Sequence, residues 1–203
     1  MAELMPEELD GWRQLPTATI ADCLGRHNVV AARLRPVSGD GVLGVALGVR
    51  VMPGDSGSLH QALNHVPPGR VLVVDAGGYA DRAVWGEVLT VAAQARQVRG
   101  LVLDGAVRDI AAIRRRAFPV YAVALSPAGP HKSGGGEWGG TVACGGAVVP
   151  TGDLVVGDGD GVVVVPWSRR LAVLAEARDR MATERRWLAE IAAGRASSDV
   201  VGL

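Results

Sequence analysis

A chain of 203 residues that is 48% hydrophobic is long enough to fill one core, and none of its apolar runs approaches the roughly 20 residues of a membrane span. Its 21 basic and 21 acidic residues cancel, so the charge leaves no footprint for nucleic acid or an anionic membrane. Two cysteines, Cys23 and Cys144, make neither a disulfide framework nor a zinc-ligand pattern, and the acidic opening MAELMPEELDGW is unlike a secretory leader. The expectation is a soluble, cytoplasmic protein with one domain over residues 1–203. With 28 glycines and only 4% aromatic residues, closely packed α/β layers are favoured over an all-β fold.

Residues 7–25 read as helical with a break near Pro16, where Thr17 opens the second segment and Asp22 and Arg26 stand four apart. Glycine alternates with apolar residues over 37–52, which suits bent strands. Pro53-Gly54-Asp55 marks a turn before a short helix over 58–64. His60 and His65 are five apart, share no helical face and have no acidic ligand among them, so they read as surface or packing residues. A strand over 71–75 is followed by the glycine turn Ala76-Gly77-Gly78.

Residues 85–109, WGEVLTVAAQARQVRGLVLDGAVRD, organise the rest. The pattern predicts a helix opening at Gly86-Glu87, a buried strand over 101–103, a turn at Asp104-Gly105 and an adjacent Arg108-Asp109 pair. With the preceding strand this makes one βαβ unit, and open parallel sheets gather ligands outside the carboxyl ends of their strands. The helix start and Arg108-Asp109 are expected there. First-turn amides at Gly86, Glu87, Val88 and Leu89 have no helical acceptor and suit a carboxylate. Arg108 offers a planar fork to a carboxylate or enolate oxygen, and Asp109 is a hard oxygen ligand for Mg2+ or Mn2+. Taken alone, an Arg-Asp pair is more often a solvated first turn than a site.

A helix over 106–116 with Ile110 and Ile113 inward ends in Arg114-Arg115-Arg116, which reads as a solvated terminus. A third parallel strand covers 119–125. Residues 126–140 form the longest irregular stretch, a loop or a subunit-edge strand without the Walker A order. Strands are expected over 142–149 and 162–165, with Asp158-Gly159-Asp160-Gly161 a turn rather than a calcium loop. A long helix over 168–193 carries an apolar stripe of Leu171, Leu174, Met181, Leu188 and Ile191, and Gly194 ends it.

The combination of Gly86-Glu87, Gly100, Asp104-Gly105, Arg108-Asp109, the later Gly129, Pro130, Lys132 and Gly134, and GDLVVGDGDGVVVVP at 152–166 resembles one family. It holds 4-hydroxy-4-methyl-2-oxoglutarate aldolases, oxaloacetate decarboxylases and RraA-like regulators of ribonuclease E. The resemblance implies a layered β/α/β sandwich of swivelling-domain type, with parallel βαβ units, a glycine-rich β layer and a C-terminal amphipathic helix. It also implies a homotrimer or hexamer with sites between subunits. The implied activity is divalent-metal-dependent cleavage of a pyruvyl 2-keto acid, by retro-aldol reaction or decarboxylation, through an enolate held on the metal. In that scheme Asp109 is the metal ligand, Arg108 steadies the enolate, residues 86–89 bind substrate, Glu87 takes the hydroxyl proton through water, and Glu184 reaches in from an adjacent subunit. A Schiff-base route is disfavoured because the single lysine, Lys132, has no cationic neighbour in sequence. The alternative is a non-catalytic, protein-binding regulator of ribonuclease E type. Regulators of the family tend to lack the acidic residue after the arginine, whereas Asp109 is present here.

Overall fold

A computed structural model describes residues 3–203. Five short helices flank or interleave the strands: α1 (Pro6–Arg13), α2 (Thr17–Cys23), α3 (Gly57–His65), α4 (Glu87–Ala95) and α5 (Ile110–Arg115). The strands of the first part are β1 (Arg35–Ser38), β2 (Val42–Arg50), β3 (Arg70–Trp85), β4 (Gly100–Val107) and β5 (Val120–Leu125). Those of the second part are β6 (Glu137–Trp138), β7 (Thr141–Cys144), β8 (Ala147–Pro150), β9 (Leu154–Gly157) and β10 (Val162–Val165), followed by α6 (Arg170–Ala192) and α7 (Ser197–Val201).

The result is a mixed α/β fold around a curled sheet of order β1-β5-β4-β3-β2-β9-β10. Its centre, β2 to β5, is parallel, while β1, β9 and β10 close the two edges in antiparallel fashion and β6 adds to β2. Alternate residues of each central strand serve different cores. Leu72, Val74, Leu101, Leu103, Val120 and Ala122 pack under α3, α4 and α5. Val71, Val73, Val102 and Tyr121 face the other way, onto the β7–β8 hairpin. Burial on both faces explains why β3 and β4 begin as uninterrupted Val/Leu runs. A third cluster joins α1, α2 and α6 to β9 and β10 through Trp12, Ile20, Leu154, Val163, Val165, Val173 and Leu174.

The glycine-rich β layer divides in two: β9 and β10 extend the main sheet, and β7–β8 form a separate two-stranded layer on its face. Three expected boundaries are corrected. The Ala76-Gly77-Gly78 turn does not end the strand, because β3 continues to Trp85 with register shifts after Asp75 and around Tyr79 and Ala83. Gly77 and Gly78 take positive φ at the irregularity, a conformation that bends the strand without breaking it. Asp104-Gly105 is strand, not turn. The Asp104 carboxylate is buried, and accepts two bonds from the Arg33 guanidinium (2.9 and 2.8 Å) and one from Gly145 N–H (2.9 Å). The expected helix over 106–116 starts only at Ile110, since Ala106 and Val107 still pair with Ala124 and Leu125 of β5.

The turn at Asp158 works at long range. Its carboxylate accepts Thr17 N–H (2.8 Å), Thr17 Oγ1–H (2.7 Å) and Asp160 N–H (2.9 Å), so it caps α2 from across the fold. Asp22 pairs with Arg26 as the spacing suggested (3.3 Å), and also with Arg180 of α6 (2.6 Å). Of the expected apolar stripe on α6, Leu174 lies in the core and Met181 packs against it, whereas Leu171, Leu188 and Ile191 are exposed. Among the described residues, no helix is long and apolar enough to cross a membrane.

Candidate active site

The carboxyl ends of β3 and β4 meet where the chain needs only Gly86 to pass from strand to helix. Trp85 ends β3 fully buried, and its Nε1–H bonds Thr90 Oγ1 (2.8 Å), which in turn donates to Gly86 O (3.0 Å). This chain of bonds locks the first turn of α4 against the strand end. Beside it, Arg108 N–H donates to Trp85 O (2.9 Å), so β4 delivers Arg108 and Asp109 to the same place.

Asp109 occupies the left-handed region (φ 56°, ψ 32°), a costly conformation for a residue with a Cβ, and it is the residue just before α5. Its side chain does not cap its own helix. Instead Oδ2 accepts Glu87 N–H at the start of α4 (3.1 Å) and lies 3.6 Å from Arg108 Nε, while Oδ1 has no hydrogen-bond donor among the described residues. A backbone conformation held away from its preferred wells in order to aim a carboxylate is commonest at functional sites. Among the described residues, the Arg108 guanidinium makes no hydrogen bond. Gly86 and Gly129 leave room for the pair: a Cβ at Gly86 would stand 2.6 Å from Asp109 Oδ2, and one at Gly129 would stand 2.5 Å from Arg108 Nη1.

Arg108 and Asp109 form the shared wall of two hollows. One is a tight cleft of about 50 Å³ floored by Trp85, Gly86 and Leu89 and bounded by His60, Pro130 and Lys132. The other, about 310 Å³, opens towards Leu125, Ser126 and Pro127. The structure thus brings Gly86, Val88, Leu89, Arg108 and Asp109 together. Glu87 stands at the rim, where its Oε1 accepts Arg116 Nη2–H (3.0 Å) and Nε–H (3.2 Å); Oε2 is left without a partner. Arg116, expected as a solvated helix end, is therefore the residue that orients Glu87. Glu184 is not brought here. It lies on α6, pairs with Arg180 (3.3 Å) and lines neither hollow within one chain.

Two residues join the site that the sequence did not assign to it. His60 and Lys132 line the cleft with Arg108. Burial, reinforced by the Lys132 ammonium, lowers the pKa of His60, which favours a neutral imidazole. Behind them, buried Asp55 accepts N–H bonds from Gly57 (2.7 Å), Ser133 (2.6 Å) and Gly134 (3.1 Å), tying the start of α3 to the segment that carries Lys132. Burial alone would raise the pKa of Asp55, but these three donors outweigh it and hold the carboxyl below its usual range. The local signal was present: an aspartate two residues before a glycine that opens a helix is a capping pattern.

Among the described residues, no group of three or more histidine, cysteine or acidic side chains could enclose a metal ion. A donor set of one partly exposed carboxylate with a free oxygen suits a hard divalent cation that keeps most of its water, as Mg2+ does.

Residues 17–164 match the RraA-like family, described as Aldolase/RraA. The chain is 35% identical over 174 residues, 85% of its length and 83% of the relative's, to a Halalkalibacterium halodurans protein named "Putative 4-hydroxy-4-methyl-2-oxoglutarate aldolase". Its fold is similar to that of an uncharacterised Pseudomonas syringae protein (TM-score 0.86, 26% identity, covering 98% of this chain and 99% of that one). It is also similar to Streptomyces coelicolor RraAS2, described as an unusual member of the RNase ES inhibitor RraA protein family (TM-score 0.81, 29% identity, 89% and 96% coverage).

Proposed function

The chain belongs to the RraA-like family, and from that premise we propose that it is a carbon–carbon lyase acting on a small pyruvyl 2-keto acid with the help of a divalent cation. The observation that carries the reading is the Arg108 fork, free of hydrogen bonds among the described residues and held 3.6 Å from the Asp109 carboxylate beside the first turn of α4. Asp109 would hold the cation. When bound, Mg2+ or Mn2+ supplies an electron sink for the 2-keto group.

The chain's own groups do the rest. Val88 and Leu89 N–H, donors without helical acceptors, bind the substrate carboxylate at the positive end of α4. The Glu87 N–H is already used to fix Asp109. Arg108 donates to the oxygen on which charge develops, its stem passing close over Gly86 and its Nη1 over Gly129. For 4-hydroxy-4-methyl-2-oxoglutarate, the proton leaves the C4 hydroxyl and passes through water to Glu87 Oε2. The C3–C4 bond then breaks, its electrons move onto the C3 side, and the two halves become pyruvate and pyruvate enolate, the latter protonated at C3. For oxaloacetate the same bond electrons are released by loss of CO2, and no hydroxyl proton is involved. Lys132, on the same cleft, offers a cation to the second carboxylate that both substrates carry. In a trimer or hexamer, Glu184 of a neighbouring copy would complete the rim.

Pyruvate release from both substrates, with Mg2+ or Mn2+ and then with EDTA, tests the reading on wild type and Asp109→Ala. Metal-dependent turnover abolished by the substitution is the expected result. No turnover from folded, metal-supplied protein would shift the reading to the protein-binding role of RraA-type relatives.

A further inference from the structure

The opposite end of the sheet holds two arginines that make no ion pair among the described residues. Arg70 begins β3 and Arg99 immediately precedes β4, joined through Arg99 N–H to Arg70 O (2.7 Å), so their side chains leave adjacent strands at one level. Arg70 is only 8% exposed. Among the described residues, neither guanidinium makes an ion pair or a hydrogen bond, although an arginine stays protonated and burial works against its charge. Neither guanidinium is among the polar groups shut away from solvent without a partner, so both heads open into the cavity beside them, where an anion can reach them.

Both arginines line a cavity of about 230 Å³ closed by Val45, Pro67, Pro68 and Gly69. Glu3, on its rim, favours the charge of Arg70 but stands outside ion-pair distance. Arg99 also lines the adjoining and larger cavity, about 470 Å³, whose walls include Trp12, Leu15, Leu43 and Val156. The stem of Arg99 is held flat on β2, since a Cβ at Gly44 would lie 3.2 Å from Arg99 Cδ and 2.8 Å from Gly69 O. The carboxylates of the larger cavity do not neutralise Arg99: Asp158 is occupied by Thr17 and Asp160, and Asp40 makes no ion pair.

We propose that this end of the sheet is a second ligand site, in which Arg70 and Arg99 grip the phosphate or carboxylate of a small metabolite whose less polar body passes Leu43 into the adjoining cavity. The site is separate from the Arg108 cleft, which lies at the carboxyl ends of the same strands, and does not depend on the lyase reading. Two arginine forks converging on one pocket suit an oxyanion with several acceptor oxygens.

The test uses the full chain carrying Arg108→Ala, so that the cleft cannot bind the probe, and titrates inorganic phosphate and succinate by calorimetry and thermal unfolding against sodium chloride at equal ionic strength. Saturable binding of either probe is expected, weakened at least tenfold by adding Arg99→Ala, a partly exposed position that leaves the core intact. Arg70→Met should weaken it further, but the Arg99 variant decides the matter if that protein does not fold. Binding of phosphate alone or succinate alone identifies which oxyanion the site takes. Stabilisation no greater than that by chloride, or binding indifferent to Arg99→Ala, overturns the proposal. So does a change of oligomeric state in the Arg99 variant without loss of binding, which would assign the arginines to subunit packing.

Discussion

At the scale of single residues, the candidate site depends on where two side chains are aimed. Replacing Arg108 by alanine removes a preorganised donor, a change that typically costs about 3 kcal/mol of transition-state stabilisation, so kcat/KM for pyruvate release should fall by about two orders of magnitude. Arg108→Lys should recover little of it, because an ammonium cannot reproduce the planar fork. Gly86→Ala is a finer probe. Gly86 is extended (φ −163°), a conformation any residue adopts, so the added methyl causes no backbone strain and acts by displacing the Asp109 carboxylate 2.6 Å away and the Arg108 stem 3.0 Å away. The expected outcome is a large loss of activity and of metal affinity with a nearly unchanged thermal midpoint.

At the scale of elements, the same local signals succeeded and failed for identifiable reasons. The helix start at Gly86-Glu87 was legible because a glycine followed by an acidic residue opened the amphipathic run, although the strand before it was expected to end at residue 75. Asp104-Gly105 carries an equally good turn signal, yet it lies inside β4 because Arg33 supplies two charged hydrogen bonds to the buried carboxylate. No window around residue 104 contains that information. His60 stayed hidden likewise, since only the packing of α3 against α4 and β2 brings it to the cleft that Arg108 lines. The segment carrying Lys132 is fastened by Asp55, and its depressed pKa fixes a pH dependence. The stability contributed by a carboxylate with a lowered folded-state pKa is complete above its unfolded value, about 3.9, and is lost as pH falls through the folded value. Between pH 7 and pH 3 the urea midpoint of wild type should therefore drop more than that of Asp55→Asn.

At the scale of the whole molecule, the three clusters of apolar side chains leave both thiols inside. Burial, with the Asp104 carboxylate adding to it, pushes Cys144 up to about 12, and burial likewise raises Cys23. Native protein should therefore resist iodoacetamide at pH 8, and mass spectrometry should find both cysteines alkylated only in denaturant. Labelling of Cys144 in the folded protein would mean that the β7–β8 layer opens independently of the main sheet. The sheet also keeps chemistry and packing apart in sequence. Strand ends and helix starts separated by single residues hold Gly86, Arg108 and Asp109, whereas Gly129, Pro130 and Lys132 arrive on the irregular segment 126–136. That segment is fastened along its length: Ser126 N–H to Val107 O, Ala83 N–H to Ala128 O, Arg82 to Gly129 O, His131 N–H to Gly54 O, Ser56 N–H to His131 O, Ser133 and Gly134 N–H to Asp55, and Gly136 N–H to Ser58 Oγ. Because these bonds use the segment's backbone, its side chains can be exchanged at constant length between Leu125 and Glu137, recasting the wall of the Arg108 cleft while Gly86, Arg108 and Asp109 keep their places.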